Sequence, residues 1–171
     1  MIGRIRALVK KTKAHKTSLD ISEVAEEVAA LVQGEARKHG VSLWTELAPA
    51  LPPIEGDRVQ LQQVILNLLM NGIEASEGVK DRPRELMIQS QLYSSDSVLV
   101  AVQDAGVGFD PDQMPRLFDA FFTTKPGGMG MGLSISRSII EAHRGHLWAS
   151  RNAGPGATFQ FVLPARSRPA A

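Results

Sequence analysis

Apolar residues recur along this chain with two periods, helical and alternating, and the switches between them outline its elements. Ile2, Ile5, Leu8 and Val9 stand at helical spacing, a short amphipathic stretch with a basic outer face. It is too short to be stable alone, so its stripe needs a partner. Ser18–Ile21 reads as a brief strand ending in a turn. Ser22 then caps a helix with apolar positions Val24, Val28, Leu31 and Val32, stopping near Gly40. Val41–Leu47 alternates as a strand and is followed by a Pro49–Pro53 connection. Asp57 caps a second helix running to about Glu77. Two strand patterns, Glu85–Tyr93 and Val98–Val102, flank a hairpin turn at Ser94-Ser95-Asp96. A Gly/Pro-rich region, Asp104–Gly132, encloses one short helical piece, Gln113–Phe118. A third helix, Leu133–His143, ends at Arg144-Gly145, and His146–Ser150 and Thr158–Leu163 read as the last strands. Strands and helices mix without strict βαβ alternation. The pattern predicts an α/β (α+β) two-layer sandwich, one mixed sheet with helices on one face.

Length and composition narrow this further. The 171 residues suggest one domain with little left over, large enough to bury roughly 70% of its unfolded surface. Cysteine is absent, which removes disulfides, a thiol nucleophile and cysteine-ligated zinc, and fits a reducing compartment. No apolar run approaches the ~18 residues of a membrane span, and no signal-type segment follows Met1, so a soluble protein is expected. The net charge of +1 is unevenly spread: residues 1–16 hold six bases and no acid, leaving 13 bases against 18 acids. No aromatic residues interleave the basic arm, so it reads as a solvated helix face and not as a nucleic-acid contact.

Three stretches carry candidate chemistry. On the second helix, Leu61, Val64, Ile65, Leu68 and Ile73 form the buried stripe, while Gln60, Gln63, Asn67, Asn71 and Glu74 form a polar one. Asn is a poor mid-helix residue. Two of them one turn apart offer hard carbonyl oxygens of the kind Mg²⁺ takes, although a solvated face would carry the same residues. Next, Asp104-Ala105-Gly106-Val107-Gly108 follows a strand directly. Its glycines allow close approach to a planar ligand and its carboxylate can accept from an exocyclic amine; an ordinary turn has the same form. Finally, four of the six residues 127–132 are glycine, opening the third helix behind Lys125. Freed amides at a helix start form a phosphate site, the alternative being a mobile loop without ligand. There is no P-loop, no G-x-G-x-x-G after a strand and no H-R-D catalytic loop.

Together, in order and spacing, these stretches resemble the ATP-binding catalytic domain of sensor histidine kinases, the Bergerat fold shared with gyrase and MutL. Asp57–Ala75 resembles that family's N box and Asp104-x-Gly106-x-Gly108 its G1 box. Leu117-Phe118-x-x-Phe121-Phe122-Thr123-Thr124-Lys125 resembles the F box, and Gly128-Met129-Gly130-Met131-Gly132-Leu133 the G2 box. Gly154-Pro155-Gly156-Ala157-Thr158-Phe159, running on to Leu163-Pro164, closes the set. The resemblance implies a mostly antiparallel mixed sheet of about five strands packed against three helices. It divides the chain into a dimerisation-helix stub (1–17), the catalytic domain (18–164) and a disordered tail (165–171).

The same resemblance assigns roles. Asn71 would ligate Mg²⁺ with help from Asn67, and Asp104 would bind the adenine amino group in a pocket shaped by Gly106 and Gly108. Phe122–Met131 would be the ATP lid, in which Lys125 reaches the phosphates and Gly128, Gly130 and Gly132 wrap them. Phe122, Thr124, Met131, Leu133 and Thr158 join the nucleotide contacts, and Asn67 and Lys125 are the expected catalytic residues. Phe118 and Phe121 would anchor the lid hinge or simply pack in the core. Relatives often carry Ser or Thr where this chain has Ala157, so either a water replaces that hydroxyl or Asp104 carries more of the base recognition. A glutamate that activates water in other Bergerat ATPases is replaced by Asn67, an amide and a poor base.

The family's acceptor is a histidine followed by an acidic residue, whereas His15, His39, His143 and His146 precede Lys16, Gly40, Arg144 and Leu147. The reading is therefore a cytoplasmic catalytic domain that binds Mg-ATP and cannot phosphorylate itself. Its partners would be ATP, the phosphoacceptor histidine helix of the same kinase, which these residues lack, and a downstream response regulator, with no nucleic acid and no membrane contact by this domain. A nucleotide-binding regulator of the anti-sigma type, non-catalytic or directed at serine, is the alternative.

Overall fold

The computed structural model describes residues 16–119 and 132–166, and the Ile2–Val9 stretch lies outside them. The elements are β1 (Lys16–Leu19), α1 (Ile21–Lys38), β2 (Val41–Leu47), β3 (Ile54–Asp57), α2 (Arg58–Ser76), β4 (Arg84–Ser94) and β5 (Ser97–Asp104). A 3-10 turn (Pro111–Arg116), α3 (Gly132–Ala142), β6 (His146–Arg151) and β7 (Ala157–Pro164) complete the order. Five strands form one sheet in the order β2-β4-β5-β7-β6. Only β2 and β4 pair in parallel; the other pairs are antiparallel. The three helices pack on one face, so the two-layer expectation holds.

The core is the layer between them. Val98, Val100 and Val102 of β5 and Phe159, Phe161 and Leu163 of β7 share one buried cluster with the stripe of α2, whose Leu61, Val64, Ile65, Leu68 and Ile73 are at most 1% exposed. Acids set the starts of α1 and α2. Asp57 accepts from the Gln60 N–H at 3.1 Å and caps α2 as expected.

At α1 the cap is Asp20, which accepts from the Ser22 N–H at 2.9 Å, and not Ser22. The Ser22 hydroxyl is buried and used elsewhere: it donates to the Ala48 carbonyl at 2.8 Å and meets the Ser90 hydroxyl at 2.7 Å. Leu31, read as part of the apolar stripe, is 79% exposed, because Val24, Ala25, Val28, Ala29 and Val32 already complete the face turned inward.

A second sheet, β1 antiparallel to β3, was not legible in the sequence. Lys16 and Thr17, the last two residues of the expected 1–17 stub, are strand residues paired with Asp57 and Gly56. At the other end, the Ala165 N–H donates to the Asp96 carbonyl and the Arg166 N–H to the Pro53 carbonyl, both at 2.7 Å. The first two residues of the expected tail are therefore tied down; 167–171 lie outside the described residues.

His143 locks α3 to this framework. It is 4% exposed, Nδ1 donates to the Ile139 carbonyl at 2.8 Å, and Nε2 accepts from the Asp57 N–H at 3.0 Å. Burial lowers its pKa below 6.5, aided by the charge of Lys16 and opposed by the Ile139 hydrogen bond and Asp57.

Candidate functional site

The candidate residues gather where β5 ends against α2. Gly72 makes that approach possible, since a Cβ there would lie 2.5 Å from Leu86 Cδ1 and 3.6 Å from Asp104 Cβ. The helix therefore lies directly on the strand end at Gly72, with half-buried Asn71 preceding it on α2.

Asp104 is 3% exposed, on the helix-facing side of the sheet in register with Leu86. Its Oδ1 accepts from the Gly106 N–H at 2.9 Å and the Ala157 N–H at 3.3 Å. Two backbone donors thus fix the carboxylate's direction. Position 157 contributes its amide, and the alanine side chain leaves that geometry unaffected. The following loop is pinned to α2, the Val107 N–H donating to the Ala75 carbonyl at 3.1 Å. Gly106 is buried in that turn, and Gly108 follows at φ 73°.

Gly156 closes the corner from the β6–β7 turn. It adopts φ 95°, and a Cβ would overlap the Asp104 carbonyl oxygen, so a side chain is excluded on both counts. Thr158, expected at the nucleotide, is not brought there. Strand alternation turns it to the opposite face, in register with Gln103, where its hydroxyl donates to Asn152 Oδ1 at 2.6 Å.

The second half of the site lies one to two turns back along α2. Asn67 Nδ2 donates to the Ser136 hydroxyl at 3.2 Å and to the Gly132 carbonyl at 3.4 Å, joining α2 to the first turn of α3. Gly132 is the exposed first residue of that helix, and half-buried Leu133 packs against the core. Asn67 therefore sits against the start of α3, with Asn71 and Glu74 following on its polar face.

Phe118 packs at 6.3 Å, edge to face, on Phe159, with the Arg137 guanidinium 5.7 Å from its ring centre, so core packing accounts for it. Phe121, Phe122, Thr124, Lys125, Gly128, Gly130 and Met131 lie outside the described residues.

Sequence reasoning missed three polar residues here. Ser136 is buried and holds Asn67. Asn152 donates to the Asp104 carbonyl at 2.8 Å; its place at the start of the Gly154-Pro155-Gly156 turn was a signal, since Asn side chains commonly bind turn backbone. Arg82 donates to the Ala105 and Gly106 carbonyls, and its Lys80-Asp81-Arg82 context reads only as solvated charge.

The profile of the family described as histidine kinase-, DNA gyrase B-, and HSP90-like ATPase matches residues 56–167, from the end of β3 through β7. This chain belongs to that family. Within it, the chain is similar to the sensor protein FixL of Bradyrhizobium diazoefficiens, 46% identical over 165 residues. That match covers 96% of this chain and 32% of FixL, so the chain spans about a third of that relative's length. The catalytic domain of histidine kinase ThkA superposes with a TM-score of 0.77 at 31% identity, covering 88% of this chain and 98% of ThkA's domain. Full-length ShkA in complex with AMPPNP gives 0.78 at 28% identity, over 91% of this chain and 32% of ShkA. The fold is thus that of an ATP-binding catalytic domain of the sensor histidine kinase type. Among the described residues no helix is long and apolar enough to cross a membrane.

Proposed function

We propose that this domain binds Mg-ATP at the α2–β5 corner and presents the γ-phosphate to a histidine outside these 171 residues. What supports the reading is that Asp104 lies against Gly72 and Gly132 against Asn67, on a length of α2 that also carries Asn71, within a family of ATPases. The occurrence of AMPPNP in ShkA supports it.

Asp104 accepts the adenine amino group, its carboxylate already aimed by the Gly106 and Ala157 amides. The donor set suits Mg²⁺. Asn67 and Asn71 offer amide oxygens one turn apart, and among the described residues no cluster of three His, Cys, Asp or Glu side chains forms a carboxylate cage. Bound between these residues and the phosphates, the ion would neutralise charge that builds up during transfer. Asn67, tied to α3 through Ser136, keeps that face at a fixed distance from the helix start. Lys125 and Gly128–Gly132 supply the remaining phosphate contacts, Lys125 assisting transfer.

An acceptor elsewhere is supported by the sequence, in which no histidine precedes an acidic residue, and, among the described residues, by how the histidines are engaged. His143 has both ring nitrogens engaged in the core, His39 pairs with Glu35 and Glu77, and His146 stacks on Trp148. In two-component signalling the phosphohistidine would then serve a response regulator. A cytoplasmic location follows from the need for ATP.

Titration of ATP into the chain, with and without Mg²⁺, tests the binding half: tighter binding with the metal is expected, and no binding overturns it. Incubation with γ-labelled ATP tests the other half. Acid-labile phosphate on this chain alone would contradict an external acceptor.

A further inference from the structure

Three consecutive carbonyls at the base-reading corner are held from behind the sheet. Asn152 Nδ2 donates to Asp104 O at 2.8 Å and to Pro155 O at 3.0 Å, while its Oδ1 accepts from the Thr158 hydroxyl. Arg82 donates through Nε and Nη2 to Ala105 O at 3.3 and 3.2 Å, and through Nη2 to Gly106 O at 2.9 Å. Both residues line a cavity of about 530 Å³ with Trp44, Met87 and Gln103, on the face away from α2.

The arrangement has a directional consequence. Asp104 points its carboxylate toward α2, yet the peptide groups that set its direction are gripped from the other side. A strand end followed by two glycines within four residues has little stiffness of its own. The planar fork of Arg82 fixes two neighbouring carbonyls at once, which a single-point donor cannot do.

We infer that Arg82 and Asn152 are positioning residues for base recognition: they orient Asp104 and thereby set the preference for adenine over a 6-oxo purine. The inference deepens the proposed reading, since it rests on Asp104 facing the base. It is independent of Asn67, Asn71 and the phosphates.

ATP and ITP, which differ at the 6-position that Asp104 would read, provide the test. Affinities for both, with and without Mg²⁺, are measured on the full chain and on Arg82→Met, Arg82→Lys and Asn152→Ala, alongside melting temperatures. The wild type is expected to prefer ATP. Arg82→Met and Asn152→Ala should each reduce that preference about fivefold, roughly what one well-aligned hydrogen bond provides. Their Mg²⁺ dependence should stay at the wild-type value, and Arg82→Lys should fall between wild type and Arg82→Met. An unchanged ATP/ITP ratio in these variants, even with lowered melting temperatures, would make both residues merely structural and overturn the inference. Wild-type protein that binds ATP and ITP equally would instead remove Asp104 as the base contact, and the inference with it.

Discussion

The two halves of the site are built in different ways. At the β5 end, Asp104 is almost fully buried, its carboxylate is set by two backbone amides, and its peptide groups are held by Arg82 and Asn152. On α2, the Asn67 amide reaches the Ser136 hydroxyl and the Gly132 carbonyl at 3.2 and 3.4 Å, at the longer end of hydrogen-bond distances. One half is strand-end backbone with little room to move. The other is side chains joining two helices. A planar base needs a fixed acceptor to be told from its analogues, whereas flexible phosphates with a hydrated ion require charge and donors more than exact placement. Under the proposed function, this contrast would put base selectivity at β5 and metal-phosphate binding on α2.

Breaking the rigid half should have the largest effect. Gly156→Val places a side chain on the Asp104 carbonyl at a φ of 95°, combining backbone strain with overlap. A loss of about 3 kcal/mol or more in denaturant unfolding is expected, together with weakened ATP binding. Wild-type stability in this variant would show that the turn accommodates a side chain and that the corner is less rigid than described.

Disturbing the adaptable half should leave the fold standing. Asn71→Ala, at a half-buried position of α2, is expected to change stability by less than ~1 kcal/mol. Its ATP affinity should drop mainly when Mg²⁺ is present. Equal losses with and without the metal would count against a ligand role for Asn71.

The difference in construction also governs what could be read from the sequence. The Asn67–Asn71 stripe and Asp104 were visible because helix period and a strand-end carboxylate are local signals. Strand β3 was not, because Ile54–Asp57 owes its structure to pairing with β1 about 40 residues away in sequence. Likewise, Arg82 meets its carbonyls only once β5 is laid beside β4, and Asn152 reaches Asp104 across 48 positions. The Ala157 position shows the same thing from the other direction. Sequence reasoning asked what replaces a missing hydroxyl, and the backbone amide of Ala157 is what contacts Asp104. Thr158 could not substitute, since the alternation that buries Ala157 turns Thr158 away.

The smallest effect is a control distant from both halves. His143 is held neutral by burial, and its Nε2 must stay unprotonated to accept the Asp57 N–H. The unfolded chain takes up a proton near pH 6.5 while the folded chain resists until lower pH. The stability from this group is therefore complete above pH 6.5 and lost as pH falls toward the lowered folded pKa. A His143→Gln variant should be less stable overall and should lose that acid-side slope. A slope unchanged in the variant would assign it to other groups.

The division of labour is tested most directly by Asp104→Asn, titrated with ATP and ITP in the presence and absence of Mg²⁺. The account predicts ATP binding weaker by at least ~1 kcal/mol, the worth of a charge-assisted hydrogen bond. It also predicts that the preference for ATP over ITP is reduced or reversed, because an amide can donate to a 6-oxo group, while the gain from Mg²⁺ stays at its wild-type size. An unchanged ATP/ITP preference, or a Mg²⁺ gain that falls in step with it, would contradict the separation of base reading at Asp104 from metal-phosphate binding on α2.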